Sequence, residues 1–153
     1  TEMQVADMGN YAHGNQPAQH MIYLYDWAGK PRKAQKWVRE VMDRLYSSAP
    51  DGYCGDEDNG QTSAWYVFSA MGFYPVCPAS DQYAVGRPYF PRMKVHLENG
   101  RTLEINASNV NGADGPLGTY IKNFTVGGRR PNGNFLRYED LMEGNALEFT
   151  MED

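Results

Sequence analysis

The sequence predicts an α+β fold, and three observations carry that prediction. Apolar residues recur at helical spacing as far as Pro75, they alternate as strand residues do beyond it, and no internal repeat relates the two stretches. The chain therefore divides at about residue 75, into residues 1–75 with three helices and residues 76–153 with antiparallel strands of a sheet or sandwich.

Each element has a local reason. Pro17 follows a polar turn and suits a first helical position, and Met21, Ile22, Leu24 and Tyr25 then supply an apolar face until Gly29 stops the run. Pro31 opens a second helix. Trp37, Val38, Val41, Met42 and Leu45 form one side of it, and Lys33, Lys36, Arg39, Glu40, Asp43 and Arg44 form the other. "SSAPDG" reads as a loop. A third helix spans about Gln61 to Met71, where Trp65, Val67, Phe68, Ala70 and Met71 leave hardly any polar face, the pattern of a helix buried between neighbours. Gly72 ends it and Pro75 prevents resumption. Three helices, one of them apolar nearly all round, do not close a core, so this half reads as the last part of a larger helical domain. Beyond Pro75, "KVHLENGRTLEINA" is two alternating runs joined by a turn at Glu98-Asn99-Gly100. "TYIKNFTVGGRR" and "NALEFTM" add strands, Gly127-Gly128 turns the chain, and "NVNGADGPLG" is a long glycine-rich loop.

Composition narrows the function. With 153 residues, 41% of them hydrophobic, the chain is long enough to bury a core. Eleven Tyr against six Phe predict many half-buried rings whose hydroxyls reach polar partners. A net charge of -5 argues against nucleic acid, because no row of cations faces phosphates. No apolar run approaches the roughly 20 residues of a membrane helix. Thr1 opens on a polar segment without Met and without a signal peptide, so the chain reads as a mature product or a piece of something longer. Cys54 and Cys77 read as a pair or as small buried hydrophobes, and the triplets starting at Asn106 and Asn123 carry no weight as glycosylation acceptors.

Polar residues gather at two helix starts. "HGNQPAQH" brings together His13, Asn15, Gln16, Gln19 and His20, and "GDEDNGQTS" does the same for Asp56, Glu57, Asp58, Asn59, Gln61 and Ser63. Helix capping explains one acid at such a place, but not three in a row. An EF-hand is excluded, since counting from Asp56 puts Gly60 fifth and Val67 twelfth, where a loop of that kind needs a sixth-place glycine and a twelfth-place Glu. The two clusters could jointly supply oxygen ligands to Ca²⁺, whereas two distant His and no suitable Cys pair speak against zinc. Ser63 and Ser69 lie outside any nucleophile-elbow pattern. Asp56 and Asp58, two apart in a loop, could instead point at one water and draw its proton, as glycosidase carboxylates do. A hydrolase and a metal-stabilised structural loop both remain open on the residues alone.

These motifs, with the intervening helices and the closing "FLRYEDLMEGNALEFTM", resemble the late catalytic region of glycoside hydrolase family ninety-two, calcium-dependent exo-acting α-mannosidases common in Bacteroides-type gut bacteria. The resemblance covers nearly the whole chain. It implies that the helices are the last of an (α/α)₆ toroid and that the strands belong to a sandwich. It also implies an inverting reaction on terminal, α-1,2-linked mannose of glycans such as N-glycans. Calcium would engage the 2- and 3-hydroxyls of that mannose. By the same resemblance Asn15 and Gln16 lie near the metal, Asp56 and Asp58 activate the water, and Asp58 is also close to calcium. Some members carry Glu in place of Gln16, and the neutral amide lowers the negative charge of the site. The family's general acid, a Glu placed earlier, matches nothing here. Glu2 lies too near the first motif to be that acid, and Glu2, Asp7 and Glu57 are the acids to search should the chain act alone. The implied partners are a mannose-containing glycan and the missing N-terminal part of the parent, in a periplasmic or secreted location. The rival from another class is a non-catalytic calcium- or carbohydrate-binding module.

Overall fold

The protein is described by a computed structural model covering residues 8–112 and 114–153, so Glu2 and Asp7 lie outside the described residues. Among the described residues the first elements are two 3₁₀ turns, Gln16–Ala18 and Met21–Tyr23, which run into a single α-turn, α1 (Leu24–Trp27). Pro17 sits in the first turn of this segment, as its fixed φ favours. The buried side differs from the apolar face expected from sequence. Gln19, Ile22, Tyr23 and Asp26 face inward, while Met21 and Leu24 are exposed. Spacings of three, four and seven still make one helical stripe. The stripe is chosen by polar groups that find partners inside rather than by apolarity.

Helix α2 (Pro31–Leu45) buries Ala34, Gln35, Val38, Val41 and Met42, and helix α3 (Gln61–Met71) ends at Gly72 in the left-handed conformation, φ 99°. Both match the sequence reading. One expectation about α3 is corrected: it is not buried all round, because Val67 is 53% exposed while Trp65 is fully enclosed.

Two sheets follow. Strands β1 (Phe73–Tyr74), β2 (Gln82–Val85) and β6 (Phe135–Arg137) form an antiparallel three-stranded sheet. Strands β3 (Arg92–His96), β4 (Thr102–Asn109), β5 (Tyr120–Val126) and β7 (Leu147–Glu152) form a second sheet in the order β3-β4-β7-β5. The β3–β4 hairpin closes through Asn99-Gly100 with Val95 opposite Leu103, as the Asn-Gly signal predicts. The larger sheet is mixed rather than antiparallel throughout: β7 pairs parallel with β4 and antiparallel with β5. The excursion through β5, β6 and the short helix α4 (Tyr138–Met142) supplies the crossover a parallel pair requires. That helix stands inside the stretch read as closing strands.

Two hydrophobic clusters hold these layers. Ile22, Tyr23, Val38, Val41, Met42, Trp65 and Ala70 pack among the helices and take in Ala84 from β2. Met71, Phe73, Val85, Leu136 and Leu141 pack on the inner face of the larger sheet, against Leu103, Ile105, Phe124, Leu147, Phe149 and Met151. Cys54 and Cys77 are both free.

Candidate functional site

The two polar clusters are in contact, and glycine makes the contact possible. A Cβ on Gly55 would lie 2.7 Å from both the Cα and the carbonyl oxygen of Gly14, so the backbones of the two motifs touch where any side chain would push them apart. Gln16 Nε2 then donates to the Asp56 carbonyl at 2.7 Å, and Gln61 Nε2 donates back to the Gln16 carbonyl at 3.3 Å. A buried polar network supports the junction from below. Thr62 Oγ1 donates to the Asp56 carbonyl at 3.0 Å and accepts from Gln19 Nε2 at 3.1 Å, while Gln19 Nε2 also reaches the His13 carbonyl. The indole N–H of Trp65 donates to the Gln19 carbonyl at 3.0 Å. Inside this network Gln19 Oε1 is a buried acceptor without a partner among the described residues.

The three adjacent acids have three different fates. Glu57 is the cap: its carboxylate accepts from the N–H of Gly60 at 2.6 Å and of Ser63 at 3.2 Å, at the positive end of α3. Bonds from the Ser63 side chain and from the Gly60 and Ser63 backbone hold its carboxyl below the ordinary range. Asp58 and Asn59 adopt left-handed φ values of 52° and 55°, which Asp and Asn tolerate better than most residues, and Gly60 at 102° completes the turn into α3. Asp56 and Asp58 are exposed, and among the described residues neither carboxylate has a hydrogen bond or ion pair. Capping therefore accounts for Glu57 alone.

His13, read from sequence as part of the first cluster, is a support rather than a ligand. It is fully buried, with Nδ1 2.7 Å from the Tyr11 hydroxyl, Nε2 2.6 Å from the Tyr46 hydroxyl, and its ring edge-on to Trp65. Burial lowers its pKa to about 4, so it is neutral at pH 7 with both nitrogens engaged. His20 makes none of these contacts. The Ser63 and Ser69 hydroxyls hydrogen-bond to the Tyr53 and Tyr23 hydroxyls.

The donors that remain free at the junction are all oxygens. Asn15 makes no side-chain capping bond. Gln16 spends its amide N–H and keeps Oε1, and the Asp58 carboxylate is unpartnered among the described residues. Neutral amide oxygens plus carboxylate are the hard donor set that suits Ca²⁺ better than a transition metal. Among the described residues no three His, Cys, Asp or Glu side chains converge, so a site here would need the amides and further ligands. Thr62, Tyr11 and Tyr46 are supports that the sequence reading did not single out, and Trp65, read there as a packing residue, is a fourth. Their only sequence signal is polar or aromatic residues at buried positions beside the motifs.

With this geometry in hand, comparison with known proteins is informative. Residues 1–153 match the glycosyl hydrolase family 92 catalytic domain. A family GH92 α-mannosidase from Bacteroides thetaiotaomicron, solved in complex with mannoimidazole, superposes with a TM-score of 0.87 at 40% identity, covering 95% of this chain and 19% of that one. A GH92 inverting mannosidase from Bacteroides thetaiotaomicron VPI-5482 gives 0.82 at 49% identity over the same shares. An uncharacterized secreted glycosidase of Arthroderma benhamiae is 27% identical over 139 residues, 90% of this chain and 18% of its own length. The chain thus spans about a fifth of the length of these relatives. No helix among the described residues is long and apolar enough to cross a membrane.

Proposed function

The chain belongs to glycosyl hydrolase family 92, and from that premise we propose that it is the C-terminal part of the catalytic region of an inverting, calcium-dependent α-mannosidase that removes terminal mannose, with α-1,2 linkages as its substrate, from glycans outside the cytoplasm. The observation that carries this reading is the junction itself. Gln16 and Thr62 clamp the Asp56 carbonyl, and the Asp56 and Asp58 side chains on that held loop are both exposed to solvent.

In this reading Asp56 and Asp58 orient a water molecule and take its proton as it attacks the anomeric carbon. The acid that protonates the leaving oxygen stands on an earlier segment of the parent, since an inverting pair sits roughly 6.5–9.5 Å apart across the sugar. Asn15, Gln16 and Asp58 would hold Ca²⁺, and the bound ion would supply a fixed positive charge that polarises and positions sugar hydroxyls. Gln16 would have two tasks here, because its N–H fixes the loop and its Oε1 is left to serve as a ligand.

The test uses the full-length parent. Mannose release that EDTA abolishes and Ca²⁺ restores is the expected result, and the 153-residue chain alone, lacking the acid and most of the barrel, should release none. A well-folded parent that hydrolyses no mannoside would instead favour a calcium- or carbohydrate-binding module.

A further inference from the structure

At the far end of α2 from the acidic loop, a cleft of about 230 Å³ opens between the start of that helix and β5. Three cations line it: Arg32, Lys122 and Arg130. They converge in a chain whose net charge is -5, so their grouping runs against the overall composition. Arg32 lies over the Tyr120 ring at 3.8 Å and pairs with Glu152 at 2.8 Å, which fixes its guanidinium and neutralises part of its charge. Lys122 and Arg130 have no ion pair among the described residues. Lys122 is also the extra residue of a β-bulge, since Ile121 pairs with Met151 and Asn123 with Thr150, and bulges re-aim the side chain they carry.

The cleft contains a donor that lacks an acceptor. Gln35 is only 2% exposed, and its Oε1 accepts the Ile121 N–H at 3.0 Å, which settles the amide orientation. Its Nε2 then has no partner among the described residues, yet it is not sealed from solvent, and Gln35 lines the cleft. A donor without an acceptor on a residue that lines the cleft with three cations calls for an acceptor-rich anion. The start of α2 adds to the field: Lys30 caps it without a side-chain bond, and its first turn holds no acid. Among the described residues no Asp or Glu lines the cleft; Glu152 reaches it through its pair with Arg32, and Asp26 lies behind the lining Asn134, bonded to it, with burial pushing its pKa up to about 8.

We propose that this cleft binds a phosphate or sulfate group, held by Arg32, Lys122 and Arg130 and by a hydrogen bond from Gln35 Nε2. The space exceeds what an inorganic anion fills, so a free anion and an ester carried on a sugar are both sterically admissible. The proposal does not depend on the mannosidase reading.

Calorimetric titration of the full-length parent with inorganic phosphate, with mannose 6-phosphate and with neutral mannose tests it. Saturable phosphate binding with Kd on the order of 1 mM or tighter is expected, weakening with added salt. The variant Lys122→Gln/Arg130→Gln changes two exposed side chains, and it should weaken that binding by at least about tenfold while leaving mannoside turnover unchanged. Tighter binding of mannose 6-phosphate than of phosphate would identify a sugar ester as the source, and equal binding would identify the free anion. No saturable binding of either, or binding that the double variant leaves within about twofold, overturns the proposal.

Discussion

Along β3, β4 and β7 the side chains that point away from the core are all polar: Arg92, Lys94, His96, Glu104, Asn106, Ser108, Glu148 and Thr150. In the helical half the outward positions include Met21, Leu24, Trp27, Tyr53 and Val67, whereas beyond residue 75 only Phe90 and Tyr138 are exposed large hydrophobics among the described residues. The strand half is finished on its outer face, with its apolar residues gathered inside. The helical half leaves a stripe at spacings of three, Met21-Leu24-Trp27, about half exposed among the described residues, with Phe135 against one side of the Trp27 ring. Water-facing stripes of this kind mark surfaces that another part of a protein covers, in keeping with a chain that spans about a fifth of its relatives. The halves also differ in what they bury. Among the described residues the helical half encloses His13, Gln19, Asp26, Gln35, Thr62 and Ser69, and the strand half encloses Arg87 alone. Buried polar groups are expensive unless they hold something in place: here Gln19 and Thr62 hold the acidic loop, while Asp26 and Gln35 tie the helices to Asn134 and Ile121.

The sharpest way to break that contrast is to remove the chemistry from the helical half. In the full-length parent Asp56→Asn and Asp58→Asn should each lower turnover by about 100- to 10,000-fold, because an amide cannot take a proton from water. Folding should be nearly unchanged, since neither carboxylate has a protein partner among the described residues. Lys94→Ala on the outer sheet face should leave turnover alone. Near-normal rates in both Asp variants would make these acids surface decoration.

How much of this was legible in the sequence depends on the range of the interactions involved. Helices α2 and α3 and the β3–β4 hairpin were readable because Pro31, Gly72 and Asn99-Gly100 act locally on the backbone. The β1-β2-β6 sheet was not. Strands of two, four and three residues are too short to show alternation, and they pair residues as far apart as Gln82 and Arg137. The single turn of α4 is below the length at which periodicity speaks. At the site, the motifs themselves were legible as clusters of polar residues. The split of Glu57 from Asp56 and Asp58 was not, because it follows from a left-handed turn and from Thr62 and Gln19 meeting 43 residues apart. The inward side of the first helical segment was misread for the same reason: Asp26 finds its partner, Asn134, 108 residues away.

A second prediction uses the buried titratable groups, which set the helical half apart. Burial raises the Asp26 carboxyl from the ordinary 3.8 to about 8, with the Asn134 bond opposing. Unfolding therefore releases a proton between those values, so stability falls as pH rises through the window from about 4 to 8, by at most about 1.4 kcal/mol per pH unit. His13 acts in the other direction: its folded pKa of about 4 lies below the ordinary 6.5, so its contribution is present above 6.5 and is lost as pH falls toward 4. Denaturant unfolding of the 153-residue chain across pH should show Asp26→Asn removing the loss on the alkaline side and keeping the loss on the acid side. The same alkaline slope in both proteins would mean that Asp26 is ionised when folded.

The smallest expected effect bears most directly on the difference between the halves. Val67 is 53% exposed on α3, in line with exposed Ala64 and Gln61, and an apolar residue there gains nothing while water is its neighbour. Val67→Asp should change the stability of the 153-residue chain by no more than about 0.5 kcal/mol, since Val and Asp have similar helix propensities and the site is open. In the parent the same carboxylate would be pressed against whatever covers α3, and the cost should rise to about 1–3 kcal/mol. Lys94→Ala supplies the reference from the finished face. It gives up the exposed pair with Glu104, a loss of no more than about 1 kcal/mol that should be the same in both contexts. Paired denaturant midpoints for the two variants in the two chains measure the difference directly. If Val67→Asp costs as little in the parent as it does in the 153-residue chain, this side of α3 faces water in both, and it is not where the rest of the protein sits.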